Sequence, residues 1–127
     1  MGALDGNIKT GPVQDTFLIK YDKTGTRQWT KQLGDDGSDH ASSITSGPLE
    51  NIYLLGNTLG GVDNYGMYDI FLIKYDSLGT KKWTRQLGTS ARDIGTEVAT
   101  DSLGNVILTG YTEGGLDGNS NLGGSDI

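Results

Sequence analysis

Apolar and polar residues alternate through residues 15–22: Phe17, Ile19 and Tyr21 fall on one face, Leu18 and Lys20 on the other. That is the period-two signature of a strand, written in β-forming residues. A turn at 22–26 (DKTGT) leads to a second strand at 26–34, which carries Trp29 and ends at Leu33-Gly34. A polar loop at 35–39 follows. Next come a strand at 40–46, small and polar apart from Ile44, a turn at 47–51 (GPLEN) and a strand at 51–58, NIYLLGNT. This last strand is apolar on both faces, Ile52 and Leu54 against Tyr53 and Leu55, which predicts burial between two layers. After a loop at 59–68 the pattern predicts strands at 69–76, 80–88, 94–100 and 105–112, then a Gly/Asn/Asp loop at 113–125. No helical period is present.

The strand pattern repeats because the sequence repeats. Residues 15–34, DTFLIKYDKTGTRQWTKQLG, return as residues 69–88, DIFLIKYDSLGTKKWTRQLG, at an offset of 54. Aligned without gaps, residues 15–63 match 69–117 at 23 of 49 positions. LDGN at 4–7 recurs at 116–119, and Asp126-Ile127 repeats the opening of Asp69-Ile70. The chain is therefore a single repeat module: a loop at 1–14, one repeat at 15–68 and another at 69–125. The turns DKTGT, DSLGT (76–80) and DSLGN (101–105) share D-x-x-G-[TN]. Asp can accept backbone hydrogen bonds at the turn start, and Gly25 and Gly79 supply the left-handed position of a hairpin loop. Four short strands per repeat joined by tight turns describe an all-β fold made of β-propeller blades. A four-stranded solenoid or sandwich is the alternative reading of the same period.

The phase of the repeat matters. With the strand at 40–46 innermost, one whole blade runs 40–88. Residues 15–34 are then the outer half of another blade, and 94–112 the inner half of a third. Both ends expose unpaired strand edges. In a head-to-tail ring, strand 105–112 of one chain would pair with strand 15–22 of the next. Three chains would give six blades and four would give eight. The expectation is a ring closed by homo-oligomerisation, a trimer ahead of a tetramer. The rival expectation is a fragment of a longer array.

Composition narrows the partners. The 21 glycines suit many tight turns, and a hydrophobic content of 34% suits a thin sheet protein. A net charge of −6 argues against nucleic acid and against an anionic membrane, since both select basic patches. No apolar run reaches the roughly 18 residues a spanning helix needs. The chain has no Cys, which removes disulfides, thiolate metal sites and Cys nucleophiles together. Its first residues hold no apolar signal core. The signal of an exported parent would therefore be missing from this chain.

Candidate chemistry is sparse. Asp117, Asn119 and Asn121, followed by Gly123, place oxygen side chains at alternate positions, a pattern that can wrap a hard cation such as Ca²⁺. The glycine falls one place late for an EF-hand, and the related loops carry Lys9 or Tyr65 at ligand positions. The alternative is an Asx-rich turn bonded to its own backbone. No other cofactor is expected. Trp29 and Trp83 share a repeat position, as do Tyr21 and Tyr75. Blade-to-blade packing is the expected role of these aromatics, and sugar stacking the alternative. Tyr111, Tyr65 and Tyr68 lie nearer loops and are better sugar candidates. Tyr111, Asp117, Asn119 and Asn121 make the candidate binding set. His40 is the only histidine, and its repeat equivalent is Ile94. Asp39 and Asp93 precede equivalent strands and are expected to cap turns. They pair as carboxylates only if the geometry brings them together. Arg27, Lys31, Lys81, Lys82 and Arg85 read as a solvated face. No Ser–His–Asp set or phosphate loop can be assembled, so the catalytic set is empty.

Taken together, FLIKYDxxGTxxWTRQLG, the strand DSLGNVILTGYT and the LDGN…GGSD loop resemble the bacterial SBBP-type β-propeller repeat, whose name refers to a seven-bladed propeller. The resemblance covers essentially the whole chain. It departs in the GPLEN turn and in the short loop at 59–68. It implies the fold and an extracellular or periplasmic bacterial parent, and no established activity. Seven blades are not reachable from copies of two. The expected function is a non-catalytic scaffold that self-assembles and presents loops to a protein partner. The alternatives are a lectin-like propeller binding carbohydrate and a piece of a longer secreted propeller protein.

Overall fold

A computed structural model describes residues 14–34, 37–59 and 67–121. The strands are β1 (Thr16–Tyr21), β2 (Arg27–Leu33), β3 (Asp39–Ser46), β4 (Ile52–Thr58), β5 (Asp69–Tyr75), β6 (Lys81–Leu87), β7 (Asp93–Thr100) and β8 (Val106–Thr112). They form three antiparallel sheets: β1-β2, β3-β4-β5-β6 and β7-β8. The sheets are out of phase with the repeat. The four-stranded sheet takes two strands from each copy, and the outer sheets hold two strands each.

Equivalent strands pair alike. β1 and β2 place Lys20 opposite Trp29, and β5 and β6 place Lys74 opposite Trp83. β3 and β7 both bulge after their third residue, between Ala41 and Ser43 and between Gly95 and Glu97. Within the whole sheet, β4 and β5 pair without a break from Ile52↔Tyr75 to Thr58↔Asp69.

The turns form as their residues dictate. Asp22 Oδ1 accepts from the backbone N–H of Thr24 and Thr26 at 2.9 and 3.0 Å. Asp76 does the same for Leu78 and Thr80, and Asp101 for Leu103 and Asn105. Gly25, Gly79 and Gly104 sit at φ of 84, 80 and 85°, the left-handed region that a Cβ disfavours. These hydrogen bonds hold all three aspartates below the usual carboxylate range; for Asp22 the largest cause is the Thr24 hydroxyl, for Asp76 the Thr80 backbone, and for Asp101 the Asn105 side chain. The GPLEN turn has Gly47 in the place of the Asp and Glu50 in the place of the Gly. It closes as a 3-10 turn at Pro48–Glu50, with Leu49 and Glu50 forced to φ of 59 and 56°.

Two cores lie between the sheets. Leu18 from the first sheet packs with Leu54, Phe71, Ile73 and Tyr75, flanked by Trp29, Leu33 and Ile52. Tyr53, Leu55, Ile70 and Leu72 pack with Val98 of the third sheet, flanked by Trp83, Leu87, Val106 and Leu108. β4 and β5 serve both cores, so both their faces are buried.

Candidate functional site

The sheets are joined face to face by polar ties as well as apolar packing. Trp29 Nε1 donates to the Ser77 carbonyl at 3.2 Å, and its ring lies 6.5 Å from that of Tyr75. A Cβ on Gly79 would come within 2.9 Å of the same ring. Thr16 Oγ1 donates to the Asp39 carbonyl. On the other side, the Asn57 amide donates to the Gly95 carbonyl and accepts from the Gly95 N–H, while the Ser43 hydroxyl bridges Glu97 and Val98. The backbone bond from Asp39 N–H to Gln14 recurs, 54 residues on, from Asp93 N–H to Tyr68.

The repeat makes each residue its own control. Phe71 is 7% exposed, and its equivalent Phe17 is 59% exposed; Tyr75 is 2% exposed, and Tyr21 is 56%. Val98 is buried where Ile44 is exposed, and Tyr53 is buried where Ile107 is exposed. All four exposed members belong to strands. Leu49, Leu78 and Leu103, also exposed, stand at turn tips instead. Among the described residues, β1 and β8, each at the edge of a two-stranded sheet, thus expose Phe17, Tyr21 and Ile107, and β3 exposes Ile44.

A cavity of about 500 Å³ opens beside the β8 edge. Its walls include Ile70, Leu87, Leu108, Gly110, Tyr111 and Leu116. Asp93 forms its floor, fully buried. That carboxylate accepts from the Thr89 N–H and hydroxyl and from the Thr112 hydroxyl, so it closes the 89–93 turn and pins the end of β8. Asp39, at the equivalent place, is buried at the start of β3.

The remaining sequence candidates are scattered. Asp117 sits in a 3-10 turn at Leu116–Gly118 with φ of 49°. The Asn119 amide donates to the Leu116 carbonyl, and that of Asn121 to the Thr112 carbonyl at 3.5 Å. Both amides therefore point into their own loop, and Gly123 lies outside the described residues. No group of three or more His, Cys, Asp or Glu side chains is gathered among the described residues. Tyr68 and Tyr111 converge on Arg92, whose guanidinium is 5.9 and 5.8 Å from their ring centres; Tyr65 is outside the described residues. Trp83 packs on Tyr53 at 6.0 Å with Arg85 over its ring. His40 is exposed on β3, as are Arg27, Lys81, Lys82 and Arg85, while Lys31 is half-buried.

Sequence reasoning did not single out Phe17, Ile44, Ile107 or Gly110. The signal was available, because the 54-residue offset pairs Phe17, Ile107 and Gly110 with Phe71, Tyr53 and Gly56 of the four-stranded sheet, and Ile44 with the buried Val98 of β7. Arg92 had no such signal, since its equivalent is Ser38.

An uncharacterized WD repeat-containing protein of Acanthamoeba polyphaga mimivirus is 25% identical over 130 residues, covering 85% of this chain and 9% of its own length. The regulatory protein FlaEY of Caulobacter vibrioides is 27% identical over 119 residues, covering 86% of this chain and 12% of its own length. The chain therefore spans about a tenth of the curated relatives it matches. The family model SBBP, a beta-propeller repeat, matches from Lys82 in β6 to Asn121 past β8. Over residues 82–121 the chain matches the SBBP beta-propeller repeat, and its antiparallel sheets and 54-residue period are consistent with a propeller-like repeat fold.

Proposed function

We propose that this chain is a non-catalytic β-propeller scaffold that assembles with copies of itself head to tail and offers its rim loops to a protein partner. Strand β8 of one chain adds to β1 of the next, so that each junction becomes a complete four-stranded blade. Three chains then supply six blades, within the four to eight at which propellers close. The observation that carries this reading is the unequal burial of repeat equivalents: Phe17, Tyr21, Ile44 and Ile107 are exposed where Phe71, Tyr75, Val98 and Tyr53 are buried. An unpaired edge bearing large apolar side chains is a template for pairing with another chain. The contact is heterologous, β8 against β1, and closes a ring when the rotation closes. No cofactor enters this role.

Light scattering after size exclusion tests the reading. Three masses of 13.5 kDa in one species are expected, near physiological salt. A species of one chain mass would overturn it.

A further inference from the structure

We infer that the cavity beside β8 is the socket for Phe17 of a second copy of this chain; this rests on the assembly reading above. The chain contains the filled version of the same socket. Phe71 lies directly over Gly56, so close that a Cβ there would meet its ring at 2.2 Å. Leu18 and Leu54 surround it, with Leu33 packed on the same cluster. Shifted by 54 residues, Leu33, Leu54 and Gly56 become Leu87, Leu108 and Gly110, and all three line the open cavity. Leu18 becomes Leu72 of the adjoining core. The three described atoms nearest a Cβ built on Gly110 belong to the backbone of Ile94 and Gly95 and not to a ring. The residue that stands for Phe71 in the other copy is Phe17, exposed on the free edge of β1.

The occupant is specified further by register. β4 and β5 pair Ile52 with Tyr75, Tyr53 with Lys74, Leu54 with Ile73 and Gly56 with Phe71. The same register between chains sets Val106 opposite Tyr21, Ile107 opposite Lys20, Leu108 opposite Ile19 and Gly110 opposite Phe17. Trp29 covers Tyr75 and Gly79, so Trp83 of one chain would cover Tyr21 and Gly25 of the next. Gly25 has open space around it: apart from its chain neighbours, no atom of the described residues lies within 4 Å of a Cβ built there. A small apolar ligand would fill the cavity, but it would not account for the matching knob and register on β1.

Cysteine cross-linking tests the contact, since the chain has no Cys of its own. The pair Lys20→Cys with Ile107→Cys is predicted to lie directly opposite across the junction, where Cα atoms about 4.5–5.5 Å apart suit a disulfide. Mild oxidation is expected to give covalent species of three chains on a non-reducing gel. The pair Lys20→Cys with Thr109→Cys, two residues out of register, is expected to give none. Phe17→Ser is expected to lower the association constant about 100-fold or more, as loss of a buried Phe does in a core. Its strand content should stay unchanged, because Phe17 is exposed in the single chain. If that variant fails to fold, the cross-link still decides. A trimer that neither cross-links in register nor responds to Phe17→Ser would overturn the socket and leave the scaffold reading standing. A monomeric wild-type chain would overturn both. Covalent ladders longer than four chains would support the socket and overturn ring closure.

Discussion

At the scale of the residue, the turns hold the sharpest contrast. Asp101 and Gly104 close one turn with a side-chain acceptor and an unstrained left-handed glycine. Gly47 and Glu50 stand at the same places in the other copy, and Glu50 holds φ of 56° against its own Cβ. A left-handed residue with a Cβ costs about 1–2 kcal/mol, offset in part by the entropy a glycine adds to the unfolded chain. Glu50→Gly is therefore expected to stabilise the fold by about 0.5–1 kcal/mol, read as a higher denaturant midpoint at unchanged slope. The lost contact to Lys20 is an exposed ion pair at 3.4 Å, worth little in water. Tyr75 offers a second contrast. Its hydroxyl is buried without a hydrogen-bond partner among the described residues, and burial pushes the phenol from 10.0 up to about 12. Between those values the unfolded chain gives up a proton that the folded chain keeps. Stability is thus intact below pH 10 and falls as pH rises through the window. Tyr75→Phe should remove that alkaline loss and, by deleting an unsatisfied buried group, add about 1 kcal/mol at neutral pH. Denaturant titrations of both proteins at pH 7 and pH 10.5–11.5 check each half.

At the scale of the element, most of the fold was legible because strands, turns and repeat all use local rules. The alternation at 15–22 located β1, and the two-faced run at 51–58 located β4, buried between cores as its pattern requires. D-x-x-G located three hairpin loops. The GPLEN segment was legible only as a turn; its strained backbone follows from residues that do not suit the place they occupy. The bulges at Ala41/Ser43 and Gly95/Glu97 were not legible, since a bulge is set by the packing of the strand. Gly95 shows why: a Cβ there would stand 3.0 Å from both Ile70 and Leu55, residues far away in sequence. The loop at 113–125 reads either as oxygen ligands at Asp117, Asn119 and Asn121 or as an Asx-rich turn bonded to its own backbone; the Asn119 and Asn121 amides donate to the carbonyls of Leu116 and Thr112, and sequence alone does not say which way an amide faces. The cavity was likewise invisible, being made by what β8 lacks beside it.

At the scale of the whole molecule, the half-blade phase has a thermodynamic consequence that a rearranged chain can isolate. In the proposed ring each chain completes its outer blades only with a neighbour's strands, so association adds to the stability of the folded chain. Its melting temperature should then rise with protein concentration. Asp126-Ile127 repeats the opening of Asp69-Ile70 and stands for Asp15-Thr16. Ile127 can therefore be joined directly to Phe17 without breaking the repeat. A permuted chain that starts at residue 37, runs through 127 into Phe17 and ends at residue 34 has the same strands in a new order. It holds β3-β4-β5-β6 and then β7-β8-β1-β2, two whole blades, with the β8–β1 pairing now made within one chain. Only face-to-face contacts between blades are left for association, without strand exchange. The permuted chain is expected to dissociate on dilution at temperatures where it stays folded, and its melting temperature should depend on concentration much less than that of the natural order. Thermal melts over a hundredfold dilution series compare the two. Equal concentration dependence would mean that the β8 and β1 edges take no part in assembly, and the exposed Phe17 and Tyr21 would need another explanation.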